Sequence, residues 1–146
     1  MQESNKPTDD ALVDKALRRL VNTDVAIGLI SVAPFASLLW QVHSDPRFAW
    51  KYIAMTGALF LWTMLFVGAF VLRKVRNKLL WASAAVFSAG VFCSCLTLAF
   101  VTLPPSWAVG AVPIATYWIV KLRAKGYHQV ELMQRATSKS TGQMLG

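Results

Sequence analysis

The residues WKYIAMTGALFLWTMLFVGAFVLRKVRNKLLWASAAVFSAGVFCSCLTLAFVTL, positions 50–103, decide the fold of this protein. Positions 52–72 contain no charged side chain and match the ~20 residues that an α-helix needs to cross the hydrocarbon core of a bilayer. The basic turn RKVRNK follows at positions 73–78, and positions 79–120 then contain no Asp, Glu, Lys or Arg. This second apolar run is roughly two crossings long and is interrupted by LPPS at positions 103–106. The pattern predicts a helical hairpin in a membrane, followed by a further helix.

The composition agrees with a membrane protein rather than with a soluble domain. Of the 146 residues, 55% are hydrophobic, yet the formal charge is +8. The Lys and Arg residues lie at the ends of apolar runs and are not gathered on one face, so we expect no nucleic-acid partner. Cys93 and Cys95 are two positions apart and would point about 200° away from each other on a helix, so neither a disulfide nor a shared metal ion is expected.

The whole chain is predicted to be an all-α integral membrane protein with four transmembrane helices, at about 25–42, 50–72, 79–103 and 106–120. The last of these is short and contains Pro113, and a re-entrant segment is the alternative there. The start of the chain lacks the basic region and early apolar core of a signal peptide, so we expect the first span to be retained. In this interpretation residues 1–22 form a cytosolic tail, 23–122 the bundle and 123–146 a second cytosolic tail.

Both tails contain further helical signals. Within residues 9–22 the apolar side chains recur at the spacing of one helical face, which predicts an amphipathic helix that lies on the membrane surface or contacts a partner. The residues of that face are Leu12, Val13, Ala16, Leu17 and Leu20. Residues 127–136 are expected to add a turn or two of helix, whereas residues 137–146 are expected to be a flexible tail.

The distribution of positive charge predicts the orientation. Of the fifteen Lys and Arg residues, the first connecting loop holds Arg47 and Lys51 and the second holds none. Because Lys and Arg favour the cytosolic side of short loops, both termini and the turn at 73–78 are predicted to be cytosolic. The expected location is a plasma or bacterial inner membrane.

Two sets of residues are predicted to make contacts. The cations of the basic turn are expected to bind anionic lipid headgroups or an acidic partner surface; they are Arg73, Lys74, Arg76 and Lys78. Small residues in the third span are expected to pack helices closely, either inside the bundle or against another subunit, so a homo-oligomer is possible. Those residues are Ala85, Ala89, Gly90 and Ser94. An aromatic stripe in the second span, Trp62, Phe66 and Phe70, is expected to pack against helices or lipid.

Apart from Lys51 at the start of the second span, the predicted spans contain no charged residue and no histidine, although such residues usually mark ion transport or cofactor ligation in membranes. His43 and Asp45 are the only acid and base candidates outside. We therefore predict no catalytic residue, no cofactor and no metal. The protein is expected to be a non-catalytic subunit, assembly factor or regulator of a larger membrane complex. The alternative is a small transporter, channel or lipid-handling protein that works as an oligomer.

Overall fold

A computed structural model describes residues 6–44, 47 and 49–145 of the chain. Within those ranges it consists of four α-helices and one short 3₁₀ turn, without any β-strand. The helices are α1 (Lys6–His43), α2 (Ala49–Phe70), α3 (Lys78–Thr102) and α4 (Pro105–Leu145), and the 3₁₀ turn is Leu72–Lys74. The prediction of an all-helical protein is confirmed.

Three of these helices are long and apolar enough to cross a membrane. The apolar segments are Ala11–Gln41 in α1, Trp50–Phe70 in α2 and Lys78–Thr102 in α3. The part of α4 that was predicted to span, residues 106–120, lies inside a longer helix whose following residues are polar and basic. The fourth span therefore stays a prediction, while the membrane character of the chain is supported by the other three helices.

Helices α1 and α4 are both longer than the sequence predicted, because each continues through positions where a helix end or a break was expected. The predicted amphipathic helix and the first span form the single 38-residue helix α1, which also runs through Pro34. Helix α4 continues for 41 residues, through Pro113 and Gly126 to Leu145. The expectation of a flexible tail at 137–146 is thus wrong for residues 137–145. Proline is the residue that most often interrupts a helix, and no proline follows Pro113 in the sequence. The second half of α4 therefore contains no proline that would end it.

Helix α1 packs mainly along α3, and α3 also packs on α4, whereas α2 makes fewer contacts with its neighbours. The α1 and α3 backbones touch at Gly28 and Gly90. A Cβ atom added to Gly90 would lie 2.5 Å from the Cα atom of Gly28, and one added to Gly28 would lie 2.7 Å from the carbonyl oxygen of Val86. Only glycine permits such an approach, which maximises van der Waals contact between the helices.

The basic turn is closed by local hydrogen bonds. The Val75 N–H donates to the Leu72 carbonyl oxygen at 3.0 Å. Asn77 is the N-cap of α3, and its side-chain oxygen accepts from the Leu79 N–H at 3.0 Å. Capping of this kind satisfies a backbone donor that has no partner inside the helix. It sets where α3 begins and therefore how the turn faces α4.

The interior contains two apolar clusters. The first surrounds Leu17, Leu80 and Tyr127, where the beginning of α1, the turn between α2 and α3 and the second half of α4 meet; we call this region the basic end. The second surrounds Phe92 and Leu96 and includes partly buried side chains of α1 and α2. It belongs to the opposite region, the far end, where α3 turns into α4.

Candidate functional site at the basic end

A buried carboxylate connects α1 to α4 at the basic end. Asp24 is completely buried. Its Oδ1 atom accepts hydrogen bonds from Arg123 Nε at 3.1 Å and Arg123 Nη2 at 2.8 Å, and its Oδ2 atom accepts one from the hydroxyl of Tyr127. Tyr127 is also completely buried. These three residues form the Asp24 cluster, which joins positions 99 and 103 residues apart in the sequence.

The contacts of the Asp24 cluster raise the pKa values of Arg123 and Tyr127. The hydrogen bond from Arg123 to Asp24 raises the pKa of the guanidinium above its ordinary value. Burial, followed by the hydrogen bond to Asp24, raises the pKa of the Tyr127 hydroxyl well above its ordinary value. Arg123 therefore stays positive and Tyr127 stays a neutral donor at neutral pH.

The chemistry of the Asp24 cluster is that of a structural link. An acid or base catalyst must present its proton site to a substrate, but both oxygens of Asp24 are bonded within the chain. Among the described residues, every buried side-chain N or O atom has a hydrogen-bond partner. Breaking a buried ion pair by removing one partner typically costs about 3–5 kcal/mol, so the cluster is expected to fix α4 against α1.

A second polar contact attaches α4 to the basic turn. Glu131 accepts hydrogen bonds at 3.0 Å from the backbone N–H of Arg76 and from Arg135 Nη2. The Asn77 side chain donates to the side-chain oxygen of Gln134 at 2.8 Å. Glu131 is buried and is the only Asp or Glu after position 45. The helix beyond Tyr127 is thus held against the beginning of α3.

The cations of the basic turn have exposed side chains, although the Arg76 backbone is bonded to Glu131. Lys74 differs from the other three because it lines a groove of about 340 Å³ between the turn and α4. Lys121, Lys125 and His128 of α4 line the same groove. The structure therefore places one predicted contact residue, Lys74, in a defined basic groove, and Arg73, Arg76 and Lys78 are not among the residues that line it.

The predicted apolar face of the N-terminal segment packs partly on the chain itself. Leu17 is buried in the core of the basic end, and Leu20 is half-buried against it. Val13 is half-buried, whereas Leu12 and Ala16 are exposed. Only the exposed part of this face is available to a membrane surface or a partner.

The predicted packing residues of α3 also contact the chain itself. Gly90 lies against Gly28, and Ala85 packs against the core of the basic end. Ala89 and Ser94 are half-buried. Contact of this surface with another subunit stays a prediction.

The remaining candidates for chemistry are isolated. Cys93 is buried, Cys95 is half-buried and both are free thiols. Asp45 lies outside the described residues, and of His43 only the backbone, at the end of α1, is described. Across the described ranges, no three His, Cys, Asp or Glu residues come close enough to hold a metal ion.

Asp24, Arg123, Tyr127 and Glu131 were not identified as site residues from the sequence. The sequence contains a signal for each of the two acids: Asp24 directly precedes the first predicted span, and Glu131 is an isolated acid in a basic segment. An isolated acid near a membrane end indicates a partner elsewhere in the chain. Sequence spacing alone does not identify that partner.

The far end carries an apolar groove. The groove has a volume of about 620 Å³ and lies between α1, α2 and α3. Its lining includes Phe35, Trp40, Ile53, Phe60 and Phe92. It exists because α2 makes few contacts with α1 and α3.

Comparison with protein-family models, with curated proteins and with solved structures finds no match to this chain. No relative suggests a substrate, a ligand or a partner. The function proposed below therefore follows from the residues of this chain and their arrangement.

Proposed function

We propose that this protein is a non-catalytic membrane protein that acts as a subunit, assembly factor or regulator of a larger complex. Its location would be a plasma or bacterial inner membrane, with both termini in the cytosol. One observation carries this proposal: at the basic end, the polar contacts of α4 hold a long helix that bears exposed apolar side chains outside the apolar spans.

The length of α4 places its second half beyond a bilayer if residues 106–120 span. From Lys121 to Leu145 the helix extends about 37 Å at 1.5 Å per residue, which is longer than the ~30 Å hydrocarbon core. Exposed cations such as Lys121, Lys125 and Lys139 occur along this part. The segment is thus suited to water rather than to lipid.

A small apolar surface on this part of α4 supports contact with another protein. Leu132 and Met133 are 50% and 54% exposed, and Ala136 is exposed on the same side of the helix. Adjacent large apolar side chains outside a membrane favour burial against a partner, and a helical face of this kind fits a groove on another protein. Glu131, on another face, holds the helix in position through Arg76.

Copurification of the full chain in mild detergent tests the proposal. We expect wild-type protein to retain a stoichiometric partner, identified by mass spectrometry, and the variant L132S/M133S to lose it. The control Ser138→Ala changes an exposed position on the opposite face of the same helix and should retain the partner. A stable homo-oligomer that moves a solute into liposomes without any partner would contradict the proposal.

A lipid-handling protein is the second candidate function, and the apolar groove at the far end favours it. Its volume is similar to that of ligand pockets in general, and its lining is largely apolar, with four aromatic side chains. Filling the groove with Gly57→Leu should then abolish lipid transfer between vesicles. If the purified wild-type protein transfers no lipid, this second candidate is excluded.

A further inference from the structure

The basic groove between the turn and α4 has a composition that suits a charged lipid. Lys74, Lys121, Lys125 and His128 line it, and no Asp or Glu does. Its apolar lining consists of Phe70, Val71, Val75, Tyr117 and Ala124. A cationic rim over an apolar floor binds a phosphate on one side and hydrocarbon on the other.

The position of the groove is the level at which lipid headgroups are expected. Phe70 is the last residue of an apolar segment that can span a membrane. Lys121 directly follows the uncharged part of α4 that ends at Val120, and its Nζ atom lies 5.6 Å from the ring centre of Tyr117 and 5.1 Å from that of Trp118. Aromatic rings and lysines at the end of a span are typical of the membrane interface.

An exposed aromatic stripe connects the groove to the middle of α2. Trp62, Phe66 and Phe70 follow each other with ring centres 6.3 Å and 4.8 Å apart, and their side chains are exposed. Phe66 also contacts Tyr117, a residue of the groove, at 5.3 Å. The stripe covers about 12 Å along the helix axis, which suits the upper part of an acyl chain.

The acid nearest to the groove along α4 is already bonded elsewhere. Glu131 accepts from the Arg76 N–H and from Arg135, so it does not neutralise the lysines of the groove directly. The cations are exposed and remain accessible to an external anion. A surface with this charge attracts a phosphate at close range.

From this continuity we propose that the chain binds one anionic phospholipid, with its phosphate between Lys74, Lys121 and Lys125 and an acyl chain along Trp62, Phe66 and Phe70. This site goes beyond the proposed subunit function, because it needs no protein partner. It also divides the basic turn: Lys74 contacts the bound lipid, whereas Arg73, Arg76 and Lys78 do not.

Native mass spectrometry of the full chain, titrated with dioleoyl phosphatidylglycerol or dioleoyl phosphatidylcholine, tests the site. Wild type should bind one phosphatidylglycerol more tightly than phosphatidylcholine. A lysine near an anionic headgroup contributes about a factor of five in affinity, so K74Q/K121Q/K125Q should weaken binding about a hundredfold. The control R73Q/R76Q/K78Q removes the same charge from the neighbouring positions and should leave binding almost unchanged.

Three results would overturn the proposal. The first is an equal loss of binding in the two triple variants, which would indicate general attraction to a positive surface. The second is equal affinity for the water-soluble headgroup glycerophosphoglycerol, which would indicate a soluble anion instead of a lipid. The third is unchanged binding by Lys121→Gln, a single variant at an exposed position for which we expect about a fivefold loss; it provides the same comparison if the triple variant does not fold.

Discussion

The basic end and the far end of this bundle are stabilised in different ways. At the basic end, Asp24 and Glu131 each accept hydrogen bonds from residues distant in sequence, and Leu80, Val120 and Tyr127 are completely buried. At the far end, described residues form an apolar cluster around Phe92 and Leu96, and a groove of about 620 Å³ separates α2 from α1 and α3. Polar links between distant parts of the chain therefore hold the basic end together, whereas the described contacts at the far end are apolar packing around an open groove.

This difference has a physical reason. Association of helices in lipid gains little from the hydrophobic effect, so close packing of small residues and polar contacts must hold the helices together. Polar groups are costly in the hydrocarbon core, and the interface is the place where they stabilise a bundle with least cost.

The largest expected contrast between the two ends is their exposure to opposite sides of the membrane. A reporter that works only in the cytosol should be active when fused after Gly146, and a reporter that works only outside should be active when inserted at Asp45. The positive-inside rule predicts this result. If the two reporters showed that Gly146 and Asp45 lie on the same side of the membrane, the four-span interpretation would be overturned. Helix α4 would then be re-entrant.

Removing the buried carboxylate at the basic end should cause the largest loss of stability. Asp24→Ala leaves Arg123 without its acceptor and should lower the free energy of unfolding by about 2–4 kcal/mol, measured by reversible denaturation in detergent micelles. Asp14→Ala is the matched control, since the Asp14–Arg18 pair is highly exposed and should contribute at most about 1 kcal/mol. Equal effects would show that the Asp24 cluster does not hold α4.

The contact between α1 and α3 should be sensitive to a single methyl group. Gly90→Ala places a Cβ atom against the Gly28 backbone and should cost about 1–3 kcal/mol. Gly68→Ala in α2 meets no atom within 4 Å and should be neutral or slightly stabilising. Thermal denaturation of the two variants in the same detergent compares them, and a tolerated Gly90→Ala would show that α1 and α3 separate easily.

High pH should weaken the basic end before the far end. The folded chain raises the pKa of Tyr127 above its unfolded value of about 10, so the folded state keeps this proton more strongly than the unfolded state does. The resulting stabilisation is complete below about pH 10 and is lost as pH rises toward the pKa of the folded state. Tyr127→Phe should remove this part of the pH dependence and cost about 1 kcal/mol at neutral pH. An unchanged alkaline transition in that variant would assign it to other groups.

Particular residues show how far sequence patterns reach. The uncharged run at 52–72 and the basic turn at 73–78 predicted the hairpin of α2 and α3, because spans and turns depend on local composition. The end of the C-terminal helix was predicted less well: residues 137–145 look polar and flexible, yet α4 continues to Leu145. Glu131 and Gln134, which lie just before this segment in α4, are hydrogen-bonded to Arg76 and Asn77 of the basic turn. These contacts join residues more than 50 positions apart in the sequence, so local composition does not reveal them.

Taken alone, the sequence predicted a helical chain with four apolar segments and with most of its positive charge between and beyond them; the structure supports the helical fold and three helices long and apolar enough to cross a membrane. These properties follow from composition and periodicity within about 20 residues. Tertiary structure alone decided that Asp24 meets Arg123 and Tyr127, that Gly28 meets Gly90, and that Lys74 joins Lys121 and Lys125 in one groove. Such pairings depend on how helices rotate and cross, which is set by the packing of whole surfaces.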